Sequence, residues 1–177
     1  ITGFFLLKAK TNPLGKNKRL LTARGLSGTI ALFLVYESIQ RFPLSEATVI
    51  QYLYPLFTAM IAAALILETV DRNVLIGLFA GFFGVYAILG FPFLSDSYLD
   101  IESLAIAIFG SFLTGLAYVL VRKATSLDEH PVVVMFYFPL FTVPMCLPFL
   151  FSVWQHPSLL EWCYLFFVGL FTQFGQL

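Results

Sequence analysis

Side chains with the chemistry to bind or transfer something are few in this sequence, and most of them interrupt long apolar runs. One carboxylate, Glu37, lies within such a run, in the segment LVYESIQR. An ionisable group inside a long apolar helix costs free energy and is by default a candidate for proton or substrate coupling. Arg41 follows one helical turn later, so a salt bridge near the end of the helix is the alternative interpretation of Glu37.

A second group of small and polar side chains shares one face of a predicted helix over residues 43–68. Residues on this face recur three or four positions apart, at Ala47, Gln51, Tyr54, Pro55, Thr58 and Ala62. The opposite face carries Leu53, Phe57 and Met60, which we expect to meet lipid or packed side chains. Two interpretations remain open, namely a helix kinked at Pro55 and packed on its neighbours, or a face that lines a solute path.

Two later apolar runs carry polar side chains of the same kind. Thr114 and Tyr118 occur in the run 104–121, and Gln173 and Gln176 occur in the run 159–177. A hydroxyl or amide facing hydrocarbon without a partner costs on the order of 2 to 7 kcal/mol, which favours positions supplied with hydrogen bonds. The candidates for residues that line a cavity are Gln51, Tyr54, Pro55, Thr58, Thr114, Tyr118, Gln173 and Gln176.

Composition indicates the class of protein. Hydrophobic residues make up 59% of the chain, aromatic residues 18% and charged residues 11%, whereas a soluble domain has about 25% charged residues. The mean hydropathy is +0.89. These values predict an integral membrane protein. We expect it to be a multi-pass protein of the inner or plasma membrane. A formal net charge of zero, without runs of Lys and Arg among aromatic residues, argues against nucleic-acid binding.

The apolar runs predict an all-α bundle with about seven membrane crossings. The complete runs lie at about 25–40, 43–68, 74–94, 104–121 and 131–154, close to the length that a bilayer requires. Residues 1–7 and 159–177 are interpreted as truncated crossings, and the chain as a fragment. Pro139, Pro144 and Pro148 predict that the helix over 131–154 is bent or broken.

Glycines and charges predict how the crossings are arranged. Gly77, Gly81 and Gly84 share one face of the run 74–94, which we expect to pack inside the bundle, with a dimer contact as the alternative. Basic residues concentrate on one side when the loops alternate, in the segment 8–24 and at Arg72, Arg122 and Lys123. The positive-inside rule places that side in the cytoplasm and the acidic segment 96–102 outside.

Residue types used by most enzymes are scarce. His130 and His156 fall in loops on opposite sides of the membrane, and Cys146 and Cys163 lie in apolar runs without metal-ligand spacing. No HExxH, GxSxG or glycine-rich phosphate loop occurs. We therefore predict no catalytic residue, no metal site and no cofactor.

Several segments together resemble a known family. They are Arg24-Gly25 at a helix start, FPLSEATVIQYLYPLFTA at 42–59, Glu68 at a helix end followed by a glycine-rich helix, GLAYVLVRK at 115–123 and GLFTQFGQ at 169–176. The chain is similar in these segments to EamA-type transporters of the drug/metabolite transporter superfamily, and the resemblance covers nearly its whole length.

That resemblance implies a fold and a function. The family has ten helices in two five-helix repeats of inverted orientation, so residues 1–94 would run from the late second helix through the fifth. Residues 101–177 would run from the sixth helix into the eighth. The implied function is secondary transport of a small organic metabolite or drug-like solute by alternating access, in the export direction. A membrane-embedded enzyme and a structural membrane subunit are the alternatives, and a monomer and a homodimer are both compatible with the sequence.

Overall fold

The computed structural model describes residues 14–66, 71–88, 100–153 and 157–175, and these residues form helices without any strand. Seven helices follow one another in this part of the chain: α1 Lys18–Arg41, α2 Leu44–Gln51, α3 Tyr54–Leu65, α4 Arg72–Ile88, α5 Ile101–Ser126, α6 Pro131–Val153 and α7 Leu159–Gly175. The predicted all-α class is confirmed.

Several helices are long and apolar enough to cross a membrane. Four segments of 20 to 26 residues meet that description, namely Lys18–Arg41, Glu46–Leu65, Ile101–Ser126 and Pro131–Leu150, of which the second combines most of α2 with α3. Shorter apolar helices cover Arg72–Val85 and Leu159–Thr172. These six segments match the predicted runs after the first, which lies outside the described residues. The protein is a multi-pass integral membrane protein.

Helix α1 begins earlier than predicted. The sequence placed its start near Gly25, after a basic loop, whereas the helix already begins at Lys18. Lys and Arg are good helix formers, and their long side chains can reach the membrane surface from inside a helix. The carboxylate of Glu129 accepts hydrogen bonds from the backbone N–H groups of Lys16 at 2.7 Å and Asn17 at 2.5 Å. Glu129 is 4% exposed, so this contact anchors the chain where α1 begins.

The predicted helix over 43–68 is interrupted at Tyr52 and Leu53, just before Pro55. Helix α2 ends at Gln51 and α3 starts at Tyr54, with Pro55 in the first turn of α3. Proline has no backbone N–H, so the carbonyl of Gln51 loses its helical donor. The hydroxyl of Ser111 on α5 donates to that carbonyl at 2.9 Å, and Ser111 is fully buried. A neighbouring helix therefore satisfies the group that the break exposes.

Helix α5 is the centre of the bundle. It packs against α1, α2, α3 and α6, and α1 also packs against α2 and α6. Small residues permit these close contacts: a methyl group on Gly110 would stand 3.1 Å from Cβ of Leu34, and one on Gly115 would stand 2.9 Å from the amide nitrogen of Thr58.

Two apolar clusters hold the two ends of the bundle. One combines α1, α5 and α6 through Leu21, Ala124, Val133, Val134 and Tyr137. The other joins α5 to the segment around α2 through Phe42, Ala47, Ile50, Leu53 and Ala107.

Charged groups also gather at the two ends. At one end, Nη1 of Arg41 lies 3.2 Å from Oε1 of Glu102. At the other, Nζ of Lys123 donates to the carbonyl of Leu65 at 3.4 Å. This grouping agrees with the predicted alternation of the loops. That the Lys123 end faces the cytoplasm stays a prediction.

Two predictions about individual helices are not confirmed within the described residues. The glycine face of α4 meets no other described helix, because no described atom lies within 4 Å of a methyl group built on Gly77, Gly81 or Gly84. Helix α4 instead meets α2 and α3 at the edge of the bundle. Helix α6 continues through its three internal prolines, so the predicted break is absent, and the predicted bend stays a prediction.

Candidate functional site

A cavity of about 280 Å³ opens between α1, α2, α5 and α6. This volume is just below the range of about 300 to 1,000 Å³ that is usual for small-molecule sites. The small side chains of some lining residues leave room for the cavity, and polar groups and aromatic rings border it. The lining residues are Arg24, Gly28, Ala31, Leu32, Val35, Gln51, Thr114, Ala117, Tyr118 and Phe138.

Two of the predicted cavity residues are in direct contact. The side-chain amide of Gln51 donates to the hydroxyl of Thr114 at 3.0 Å, and that hydroxyl donates to the carbonyl of Gly110 at 2.9 Å. Gln51 is the last residue of α2, so its side chain projects from the break. The break and the small residues of α5 thus bring together two polar side chains from separate predicted runs.

Tyr54 and Tyr118 form an aromatic wall next to this contact. Their rings stack with centroids 5.2 Å apart and an interplanar angle of 23°. Tyr118 lines the cavity, whereas Tyr54, Pro55 and Thr58 are not among its lining residues. The hydroxyl of Thr58 donates to the carbonyl of Tyr54 at 2.7 Å. Tyr54 therefore contacts a residue that lines the cavity, whereas Pro55 and Thr58 are not placed at the cavity.

The remaining cavity candidates are not described. Gln173 lies on α7, but the placement of its side chain is outside the described part of the structure, as is Gln176. Both stay predictions.

Glu37 forms the salt bridge that the sequence offered as its alternative role. Its Oε1 lies 2.8 Å from Nε of Arg41, and Arg41 also reaches Glu102 and the hydroxyl of Ser103. The side chains of Glu37 and Arg41 are 44% and 32% exposed. Glu37 is not among the lining residues of the cavity.

We expect the two members of this pair to respond differently to neutralisation. Arg41→Gln removes contacts to Glu37 and Glu102 together, so it should lower the melting temperature of the purified protein more than Glu37→Gln does. In a measurement of the transport that the family resemblance implies, Glu37→Gln should keep most of the wild-type rate. Loss of transport in Glu37→Gln, at normal abundance and unchanged melting temperature, would instead identify Glu37 as a coupling carboxylate.

Sequence reasoning missed Arg24 because it placed this residue in a basic loop. Arg24 lies in the second turn of α1, with its guanidinium carbon 5.4 Å from the centroid of the Phe138 ring. It lines the first cavity and also a second one of about 240 Å³, together with Tyr118, Val121, Thr125, Pro131, Val134 and Met135. The signal was available, since Arg24 and Gly28 are one helical turn apart in the glycine-rich start of an apolar run.

Within the described ranges, no group of three or more His, Cys, Asp or Glu residues could hold a metal ion. Cys146 and Cys163 are free and exposed.

Comparisons with known proteins match this chain to transporters. The model of the EamA-like transporter family matches residues 1–90. The pseudopaline exporter CntI of Pseudomonas aeruginosa (strain UCBPP-PA14) is 26% identical over 159 residues, which cover 89% of this chain and 54% of that protein. Solute carrier family 35 member G1 of Mus musculus is 30% identical over 193 residues, with 97% and 50% covered. The chain spans about half the length of these relatives. No solved structure matches the chain.

Proposed function

Because the chain belongs to the EamA-like transporter family, we propose that it is part of a secondary transporter. The solute is a small organic metabolite or drug-like molecule, and transport proceeds outward by alternating access. The observation that carries this proposal is the cavity that Gln51, Thr114 and Tyr118 line at the break between α2 and α3. Amide and hydroxyl groups beside an apolar wall suit a solute with a few polar groups.

The divided helix supports the alternating-access part of the proposal. Transporters commonly place discontinuous helices at the solute site near the middle of the membrane. Here the interruption at Tyr52 and Leu53 lies between two helices of 8 and 12 residues, and Gln51 borders both the break and the cavity. A short segment of this kind can change its backbone dihedrals while the flanking helices keep their packing.

Two further parts of the proposal depend on the relatives. One is named an exporter, which supports outward transport. The family model ends at residue 90, which supports a first repeat over 1–94 and a second beginning at 101. Both relatives are named as transport proteins rather than enzymes. A membrane-embedded enzyme and a structural subunit stay as alternatives that experiment separates.

The test uses the full-length protein in proteoliposomes or in cells with solute efflux measured. Gln51→Ala combined with Thr114→Ala should lower kcat/KM for efflux by about tenfold, because a solute loses hydrogen-bond partners worth about 1 kcal/mol or more. Membrane abundance should stay unchanged. Met60→Leu is the matched control, because Met60 is 59% exposed on the other side of α3.

Unaltered efflux in the double variant would contradict the cavity as the solute site. A protein without any solute efflux, but with measurable turnover of a membrane substrate, would favour the enzyme. Absence of both activities, with a partner protein lost from the membrane on deletion, would favour the structural subunit.

A further inference from the structure

Arg24 is a cation placed inside a helix that crosses the membrane. It is the seventh residue of α1, about 9 Å along the axis from the helix start. Its Nε and Nη1 atoms are buried and have no hydrogen-bond partner among the described residues. A charged group in such a position is costly unless something supplies partners for its N–H groups.

The described surroundings do not supply an opposite charge. Arg24 belongs to neither of the ion pairs that Arg41 forms with Glu37 and Glu102 at the other end of α1. Glu129, the buried carboxylate near the start of α1, accepts through Oε1 from the backbone N–H groups of Lys16 and Asn17, and it forms no ion pair with Arg24. The Phe138 ring faces the guanidinium carbon, and this contact uses the face of the cation rather than the N–H groups in its plane.

The guanidinium lies where an occupant of either cavity would meet it. Arg24 and Tyr118 are the two residues that the linings of both described cavities have in common. Every other residue of the two linings is uncharged. The charge that a solute meets at this place is therefore positive, which favours an anion and disfavours an organic cation.

We propose that Arg24 binds an anionic oxygen group, a carboxylate or a phosphate, of the solute that the protein transports. The planar fork of the guanidinium matches either group with two parallel hydrogen bonds. The amide of Gln51 and the hydroxyl of Thr114 then serve the neutral polar part of the same solute. This inference rests on the proposed transport function and adds the charge class of the solute.

Gly28 sets the position of the guanidinium. A methyl group on Gly28 would collide with Nη1 of Arg24 and stand 3.1 Å from the Phe138 ring. Because Nη1 is the end of a flexible side chain, Gly28→Ala should displace the charge without removing it. Gly28→Ala therefore distinguishes the effect of moving the positive charge from the effect of removing it.

The binding test measures thermal stabilisation of the purified full-length protein by acetate, phenylacetate, phenyl phosphate and inorganic phosphate. Phenylacetamide serves as the neutral counterpart of phenylacetate. At least one anion should stabilise the wild type, and the amide should not. Arg24→Gln should weaken binding of that anion by at least about tenfold, and Arg24→Lys and Gly28→Ala should weaken it less. Arg19→Gln, which changes an exposed arginine of the same helix, should leave binding unchanged.

Three results would overturn the inference. The first is equal stabilisation by phenylacetate and phenylacetamide, or no stabilisation by any of the four anions. The second is anion binding that survives Arg24→Gln unchanged. The third is Arg24-dependent stabilisation by short-chain phosphatidylglycerol alone, which would assign the arginine to a lipid headgroup.

A transport arm keeps this inference distinct from the proposed function. Efflux of neutral or cationic solutes that is unaffected by Arg24→Gln would contradict the anion site and would still support the transport function. Anion binding that depends on Arg24 in a protein without any efflux would contradict the transport function and would still support the anion site.

Discussion

Gly115→Ala is expected to prevent stable assembly of the bundle and to reduce the membrane abundance of the folded protein to a small fraction of the wild-type level. The added methyl group would stand 2.9 Å from the amide nitrogen of Thr58 and 3.0 Å from both the carbonyl oxygen of Tyr54 and Cβ of Phe57. Two of these three atoms belong to the backbone of α3, and the third is attached to it. No side-chain rotation relieves the collision, so α3 and α5 have to separate.

Gly81→Ala is the matched control for this prediction. It makes the same change in an apolar helix, but no described atom lies within 4 Å of the added methyl group. Alanine is also the better helix former, so the control should be neutral or slightly stabilising. The measurement is the fraction of full-length protein that elutes as a monodisperse peak after mild detergent extraction, together with its melting temperature. Equal yields for both variants would show that the α3–α5 contact does not depend on Gly115.

Ser111→Ala is expected to produce the second largest loss. The Ser111 hydroxyl is fully buried and donates to the carbonyl that Pro55 leaves without a helical donor. Removing it leaves a buried acceptor unsatisfied, at a cost of about 1–3 kcal/mol in the free energy of unfolding. Unfolding in detergent should report this loss, and the proposed solute transport should fall with it because the same carbonyl belongs to Gln51.

A double-mutant cycle tests the reason for that loss. Pro55→Ala restores an N–H group that can donate to the Gln51 carbonyl, so Ser111→Ala should cost less in the Pro55→Ala background than in the wild type. Ser126→Ala is the control, because the exposed Ser126 hydroxyl donates to the carbonyl of Arg122 in its own helix, at 2.8 Å. An equal cost of Ser111→Ala in both backgrounds would contradict the proposed compensation.

Much of the fold was predictable because membrane helices are determined locally. In lipid every backbone polar group needs a partner within the protein, and a helix supplies nearly all of these partners within its own segment, so a long apolar run specifies a helix. The runs at 104–121 and 131–154 accordingly correspond to α5 and α6. The start of α1 was missed because six basic residues were taken as a loop signal, although lysine and arginine can occupy the first turns of a membrane helix.

The sequence predicted which types of residue line the candidate site, but only some of the individual residues that line it. Period and polarity identified Gln51, Thr114 and Tyr118 as residues of polar faces, and the structure places all three on one cavity. The same reasoning grouped Tyr54, Pro55 and Thr58 with them, because helical periodicity identifies a face of the helix and not which residues of that face line a cavity. Sequence reasoning overlooked Arg24, because only the structure shows that its buried Nε and Nη1 atoms have no hydrogen-bond partner among the described residues.

The sequence by itself determined which segments enter the membrane, that their composition excludes a soluble protein, and which faces are polar. Only the tertiary structure decided that Gln51 meets Thr114 across 63 positions, that Ser111 compensates Pro55, and that Glu37 pairs with Arg41 while Arg24 faces two cavities. Lipid is as apolar as leucine, so burial does not drive one membrane helix onto another. Close contacts at small residues and a few hydrogen bonds choose the partners, and these depend on the three-dimensional fit of residues far apart in the chain.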